Sequence, residues 1–350
     1  MKPYRLPPEW ARQRGVLLTW PHAGGDWGPR LPEVENVYVE LAVQIGRFEE
    51  VIVAARDERH RRHIESLLAA ADARRDRVSL YCAPSNDSWS RDHGPLTVLD
   101  GKNHLRLLDF TFNGWGGRYP SRMDDRLTRT LHRQGAFGEI PLERVDLVLE
   151  GGAIEVDGRG GLLTTTRCLL SPLRNPDLGC QALEALFAEL FGIERTMWLE
   201  NGHLAGDDTD SHIDTLARFC NPTTIAYVSC DDPHDEHFHE LKEMEAELRC
   251  LRDADGRPYT LVPLPWPEPQ HGSSGERLPA TYANFLIING AVLVPLYGTP
   301  RDEQALAVLA DCFPDRQIIG IDCLPLIRQY GSLHCATMQI PADDKLRDSP

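Results

Sequence analysis

Five polar residues recur along the 350-residue chain at nearly even steps: Asp92, Glu150, Asp214, Asn284 and Cys335. The steps between them are 58, 64, 70 and 51 residues. Each residue stands where a strand-like apolar run meets a loop. No sequence repeat accompanies the spacing, so the regularity belongs to architecture. Several modules of similar size, set about one centre, would produce it. The first module reads strand, helix, strand, helix, strand: the run GVLLTW at 15–20, the striped segment 32–47, and then 50–54, 57–73 and 78–82. Hairpins follow at Asp100-Gly101 and Asn289-Gly290. No Ser/Gly/Pro linker divides the chain, and its loosest segment, 270–276, lies within a loop. A single α/β domain over residues 1–350 is expected.

A net charge of −16 argues against a phosphate-backbone partner, since nucleic-acid binding wants a basic face. It suits steering of a cation. No apolar run reaches the roughly 18 residues of a membrane span, and MKPYRLPPEW has no apolar h-region. The nine cysteines are odd in number and lack CxxC spacing. A disulfide framework and a structural zinc are therefore disfavoured and a reducing, cytoplasmic setting is expected. His234, His237 and His239 lie among four acids but lack metal-ligand spacing. They read as a solvated helix start, and neither metal nor organic cofactor is expected.

Several stretches carry chemistry. His212-Ile213-Asp214, if on a strand, projects an acid/base and a carboxylate to one side. Asn86 to Pro95, NDSWSRDHGP, packs two carboxylates, an Arg and a Trp before a Gly-Pro stop. There Arg91 is expected to pair with Asp87, freeing Asp92 to face a ligand, and Trp89 supplies a ring. Glu150-Gly151-Gly152 sets an acid where glycine allows close backbone approach. The loop FNGWGG at 112–117 centres on Trp115. GSLHC at 331–335 ends on Cys335, read as a nucleophile. With the last strand expected over 333–339, His334 would face away from Cys335 and make a poor base.

Taken together, NDSWSRDHGP, EGG, DDTDSHIDTLARF, TYANFLIINGAVLVP and GSLHCATMQIP resemble the agmatine deiminase and bacterial peptidylarginine deiminase family. The likeness runs from Trp20-Pro21-His22 to Pro341. It implies the pentein fold, a five-bladed α/β propeller of ββαβ modules around a central site. It also implies roles: Cys335 as nucleophile, His212 as general acid/base, and Asp92 and Asp214 as carboxylates gripping a guanidinium. Glu150 would orient the histidine, Trp89 and Trp115 would wall the substrate pocket, and Asn284 would lie near the site. A homodimer is compatible with the likeness. Three departures stand out: QYGSLHC where the best-known agmatine deiminases resemble GGGNIHC, His93 in place of Thr or Tyr, and Ser211 in place of Gly. They touch the surroundings of the site and bear on the substrate's tail.

The chemistry so implied is hydrolysis of a small cationic guanidino substrate through a covalent amidino-cysteine. Three carboxylates near Cys335 should keep the empty enzyme's sulfur as thiol, and a bound cation should release the thiolate. Agmatine, with no carboxylate, suits an acidic pocket. Arginine or peptidylarginine would call for a basic residue such as Arg118 or Arg122. A cysteine hydrolase of neutral amides has no use for paired carboxylates, and a non-catalytic binding protein has no use for the whole set.

Overall fold

The structure is a computed structural model that describes residues 4–343. The ends of the expected 1–350 domain, residues 1–3 and 344–350, lie outside the described residues. The modules foreseen from the spacing are present as five small sheets built to one plan. The first sheet has β1 (Gln13–Thr19), β2 (Glu50–Ala55) and β3 (Val78–Cys82) in parallel order. The second has β4 (Leu96–Leu99), β5 (Leu105–Thr111) and β6 (Leu142–Val148). The third has β7 (Glu155–Val156), β8 (Gly161–Thr165) and β9 (Arg195–Leu199). The fourth has β10 (Ala217–Asn221), β11 (Thr224–Val228) and β12 (Thr260–Leu264). The fifth has β13 (Leu286–Ile288), β14 (Ala291–Leu296) and β15 (Gln317–Asp322).

In sheets two to five the first pair is antiparallel and the second parallel. A parallel pair needs a crossover, and a helix supplies it each time. These helices include Leu31–Gly46 in the first module, Cys180–Phe191 in the third, Phe238–Cys250 in the fourth and Asp302–Cys312 in the fifth. The last strand, β16 (Thr337–Pro341), returns to pair antiparallel with β1. The first sheet thus gains the antiparallel edge that the other four carry, and the ends of the chain close the ring. Val16, Leu17, Leu18, Val51 and Val53 are fully or almost fully buried, as expected for strands covered on both faces.

Polar stitching joins the modules near the axis. Asn289 Oδ1 accepts from Gln13 N at 3.0 Å, and its Nδ2 donates to Gln13 O at 2.7 Å. Arg218, with no solvent exposure, pairs with Glu155 of the third module and with Glu9, and donates to Phe285 O at 2.7 Å. A guanidinium taken fully out of water persists only with such partners.

Two strand expectations are corrected. His212-Ile213-Asp214 does not lie on a strand; Ile213–Thr215 forms a 3-10 turn and β10 begins at Ala217. Likewise β16 begins at Thr337, so 333–336 form a turn rather than strand. The buried apolar residues Ile213, Leu216 and Leu333 continue the strand-like pattern through these turns, which is why apolar periodicity could not separate the two. The His234–His239 stretch is likewise not simply a solvated start. His237 is buried, sits 2.7 Å from Asp235 Oδ1 through Nδ1, and accepts from Ala205 N through Nε2.

Candidate active site

Each of the five spaced residues occupies the stretch that leads into the first strand of a module. Asp92 is in the single turn Ser90–His93 before β4, and Glu150 caps the turn Gly151–Ala153 before β7. Asp214 is in the 3-10 turn before β10, Asn284 precedes β13, and Cys335 precedes β16. Turns of the same topological position meet on the axis, so the residues converge. All five are buried.

Gly152 lies where they meet. A Cβ there would stand 2.6 Å from His212 Nδ1, 2.9 Å from Asp92 Oδ1 and 3.1 Å from Asp214 Oδ2. Any side chain would displace the three, so only glycine fits. Its N–H donates to Asp92 Oδ1 at 3.0 Å, and Trp115 Nε1 donates to Asp92 Oδ2 at 2.9 Å. Trp115 reaches that position from a left-handed backbone, φ +54°, flanked by glycines at φ +72° and +81°. The conformation is unfavourable for a large residue and marks a position held by its surroundings.

Cys335 Sγ lies 3.3 Å from Asn284 Nδ2 and 3.7 Å from Asp214 Oδ2. Asn284 spans the centre, since its Oδ1 accepts from the backbone N–H of His334 at 2.9 Å and of Cys335 at 3.3 Å. Arg91 N–H donates to Cys335 O at 3.1 Å, tying the sulfur's turn to that of Asp92. The expected Arg91–Asp87 pair does not form. Arg91 instead turns below the site to Glu9, at 3.2 Å, and to Gln339, while Asp87 lines the cavity.

His212 Nδ1 is 3.6 Å from Asp92 Oδ1. Glu150 and Cys168 flank it, with ligand-type atoms of the three within 4.8 Å of one another. Of the described residues these three come nearest to a metal-ligating set, yet both Glu150 oxygens already accept from Arg174 Nε, at 3.0 and 2.9 Å. That carboxylate is satisfied by a fixed cation. Before His212 the chain passes through two left-handed residues, Asp210 and Ser211, at φ +67° and +66°. The departure from glycine at 211 therefore carries strain. It is held by Ser211 N–H donating to Asp207 at 2.6 Å and Ser211 O accepting from Thr165 Oγ1 at 2.7 Å. His93, the second departure, is buried against Thr19 and Phe112 and does not line the cavity.

Burial and mutual charge set the protonation states. Burial pushes the Cys335 thiol well above its usual range, with Asp214 and Asp92 adding to the effect. Burial, with Asp214 and Glu150, lifts Asp92 to about 6 against the opposing pull of His212. For His212, burial alone would favour the neutral ring; Asp92, Cys168 and Glu150 outweigh it and hold the ring well above its usual value. The empty site therefore pairs a neutral sulfur with a protonated imidazole.

Of these groups Cys335 and Asp92 line a cavity of about 320 Å³, with the others packed behind them. Trp89, Trp115 and Tyr119 wall it. Trp89 packs tilted on Trp27, with centroids 5.7 Å apart. Farther out lie Asp26, Asp87, Asp208 and Glu276, with Arg30 and Arg328. Arg328 is paired with Glu33. Arg118 is taken by Asp210 and the Asp208 carbonyl, and neither it nor Arg122 lines the cavity. Sequence reasoning missed Glu9, Arg174, Asp208, Arg218 and the orientation of His334. The run DDTD at 207–210 was the one visible signal among them.

The Porphyromonas-type peptidyl-arginine deiminase model matches residues 5–341, and the chain belongs to that family. Agmatine deiminase of Stutzerimonas stutzeri is 33% identical over 368 residues, covering 97% of this chain and 96% of the relative. A Porphyromonas gingivalis structure provisionally called an arginine deiminase is 48% identical, with TM-score 0.90 over 97% of this chain and 98% of that one. A Cys-to-Ser variant of C. jejuni agmatine deiminase, solved with substrate bound, is 36% identical, with TM-score 0.88 over 97% of both chains. The pentein propeller expected from the motifs is the fold of this protein.

Proposed function

We propose that the protein is an agmatine deiminase, with residues 1–350 acting as one catalytic domain. It converts agmatine and water to N-carbamoylputrescine and ammonia. The observation that carries this is the convergence of one sulfur, one imidazole and two carboxylates, with the sulfur and Asp92 opening on an acid-lined cavity. A guanidinium is a poor electrophile because resonance spreads its charge, and it stays protonated. Asp92 and Asp214 accept N–H bonds from its edges and hold its carbon near Cys335 Sγ. The arriving cation stabilises the thiolate, and the proton leaves the sulfur for solvent in the cavity. Sulfur adds to the central carbon, His212 gives its proton to the departing nitrogen, and ammonia leaves. His212, now neutral, takes a proton from water, which adds to the amidino-thioether carbon. The C–S bond breaks, the added hydroxyl's proton passes to the sulfur, and the ureido product departs. Glu150, held by Arg174, acts on the imidazole through its charge, favouring the protonated ring.

The outer wall supports agmatine over its competitors. Four acids face two guanidinium groups there, one of them already paired with Glu33. A primary ammonium fits such a wall better than a carboxylate does. The presence of Arg30 in the same wall is the feature that favours free arginine as a second reading. Colorimetric ureido formation from agmatine, arginine and a blocked arginine peptide separates the readings. Turnover of agmatine at least about tenfold more efficient than the others is expected from a net acidic subsite. Turnover confined to arginine would overturn the assignment.

A further inference from the structure

His334 takes part in no step above, yet both ring nitrogens are engaged at short distance. Nδ1 lies 2.7 Å from Asp214 Oδ2 and Nε2 lies 2.6 Å from Glu9 Oε1. Both partners are carboxylates, which accept hydrogen bonds when ionised and cannot donate. Each contact therefore needs its own proton, and a neutral imidazole brings one only. Glu9 is not the source of the second. Its Oε2 meets Arg218 and its Oε1 lies 3.2 Å from Arg91 Nη1, two cations that fix it as a carboxylate. The second proton must reside between His334 and Asp214.

We infer that His334 is a positioning residue for the guanidinium clasp, sharing one proton with Asp214 so that Oδ2 is fixed on the ring and Oδ1 is left to receive substrate. Asp214 Oδ1 is buried and has no other partner, as this division of labour requires. The groups that face the pair pull in opposite directions. Burial, then Arg218 from β10 and Arg91 from the turn before β4, hold the ring below its usual range, while Glu9 from the N-terminal turn and the bond to Asp214 favour its charged form. Cys335 Sγ lies 3.7 Å from Oδ2, the oxygen that meets the ring, and Cys335 and Asp92 line the cavity while Asp214 sits behind them. In the empty site the shared proton softens the negative charge beside Cys335. When a guanidinium binds Oδ1, full carboxylate charge is needed, and the proton passes to Nδ1 with Glu9 balancing the resulting imidazolium. The clasp is charged without releasing a proton to solvent. Its substrate side rests on the function proposed above, but the proton count does not.

The test uses the full chain and three variants: His334→Phe, His334→Asn and Glu9→Gln. In both His334 variants kcat/KM for agmatine should fall about 30-fold, mainly through KM, because a charge-assisted bond to Asp214 is lost. The acid limb of the pH profile should move to higher pH, since no ring remains to take up the clasp's proton when a cation binds. Glu9→Gln keeps an acceptor for Nε2–H but removes the balancing charge, so a smaller shift in the same direction is expected. A purely structural role would leave the pH profile in place, and that result, or a loss in kcat at constant KM, overturns the inference. Proton NMR of the ¹⁵N-histidine-labelled wild type, without substrate, needs neither turnover nor a folded variant. Two strongly downfield hydrogen-bonded protons on the His334 ring are expected; a single one overturns the proton count. If both protons are present but no guanidino compound is turned over, the proposed function fails while the shared proton stands.

Discussion

The buried cluster behind the cavity, its inner end, and the cavity's outer wall are built on different principles. At the inner end Asp92, Glu150, Asp214, Asn284 and Cys335 come from equivalent entry turns of five modules and are all buried. Most of their polar atoms are fixed by a neighbouring turn. At the outer end Asp26 is exposed, and Arg30, Asp87, Asp208, Glu276 and Arg328 are half-buried, contributed by irregular loops. Breaking a C–N bond of a resonance-stabilised cation requires geometry held to fractions of an ångström. Recognising the tail requires little more than charge. Rigid topology serves the first need and loops serve the second.

The sharpest break in this contrast is loss of the sulfur. Cys335→Ala should abolish ureido formation from every guanidino compound by at least about 10⁴-fold, as removal of a covalent nucleophile does. The side chain sits at the cavity wall, so the thermal midpoint should change little. Retention of activity would remove the mechanism altogether. Next in size is the support of the inner end. Arg174 and Glu150 are both without solvent exposure, and Arg174→Met strands a buried carboxylate. A loss of about 3–5 kcal/mol of stability is expected, measurable by urea unfolding. A corresponding truncation at the outer end, Arg328→Met, should stay within about 0.5 kcal/mol because its pair with Glu33 is exposed.

The same contrast explains what could be read from the sequence. The inner end was legible because its residues recur at module spacing and are chemically conspicuous. Apolar runs gave the strand and helix order of the first module and the Asp100-Gly101 and Asn289-Gly290 hairpins, whereas the ββαβ plan came with the family resemblance. Local geometry was not. The strand expected at His212 is a turn, because Ile213 and Leu216 bury as strand residues would. His334 was turned away from the site by a strand alternation that does not exist at 333–336. Glu9 looks like a lone acid beside two prolines, and Arg174 like one of many arginines; their partners are 325 and 24 residues distant. Such pairings exist only in three dimensions.

The protonation state of the inner end gives a further prediction. Burial, Asp214 and Asp92 all oppose a thiolate at Cys335, so alkylation of the free enzyme should be slow at neutral pH and rise only in alkaline solution. An inert guanidinium ligand bound by the two carboxylates should shift that rise downward and accelerate alkylation at pH 7 by about tenfold, one pH unit of thiol acidity. A thiolate plateau below neutrality without ligand would contradict the reading of the empty site as thiol and imidazolium.

The smallest effect belongs to the outer end, and it separates that end from the inner one. Burial, with Asp26 and Asp208 nearby, raises Asp87 to about 7, and burial raises Asp208 to about 6. A cationic tail binds the ionised forms, so KM for agmatine should fall as pH rises from 6 through 7 and then level. Asp87→Asn should raise KM about tenfold with little change in kcat, and should flatten that dependence. Its effect on arginine should be smaller, which narrows the preference for agmatine. Stability moves the other way. A carboxyl whose folded pKa is raised contributes stability that is complete below its unfolded value and is lost as pH climbs through about 7. At pH 8 Asp87→Asn should therefore stabilise the fold, by about 1–2 kcal/mol once cavity solvent is allowed for, and at pH 4 the gain should vanish. A variant that weakens agmatine binding while raising the melting temperature progressively from pH 4 to 7, and evenly above that, would mark Asp87 as charge held for the substrate's tail and not for the fold.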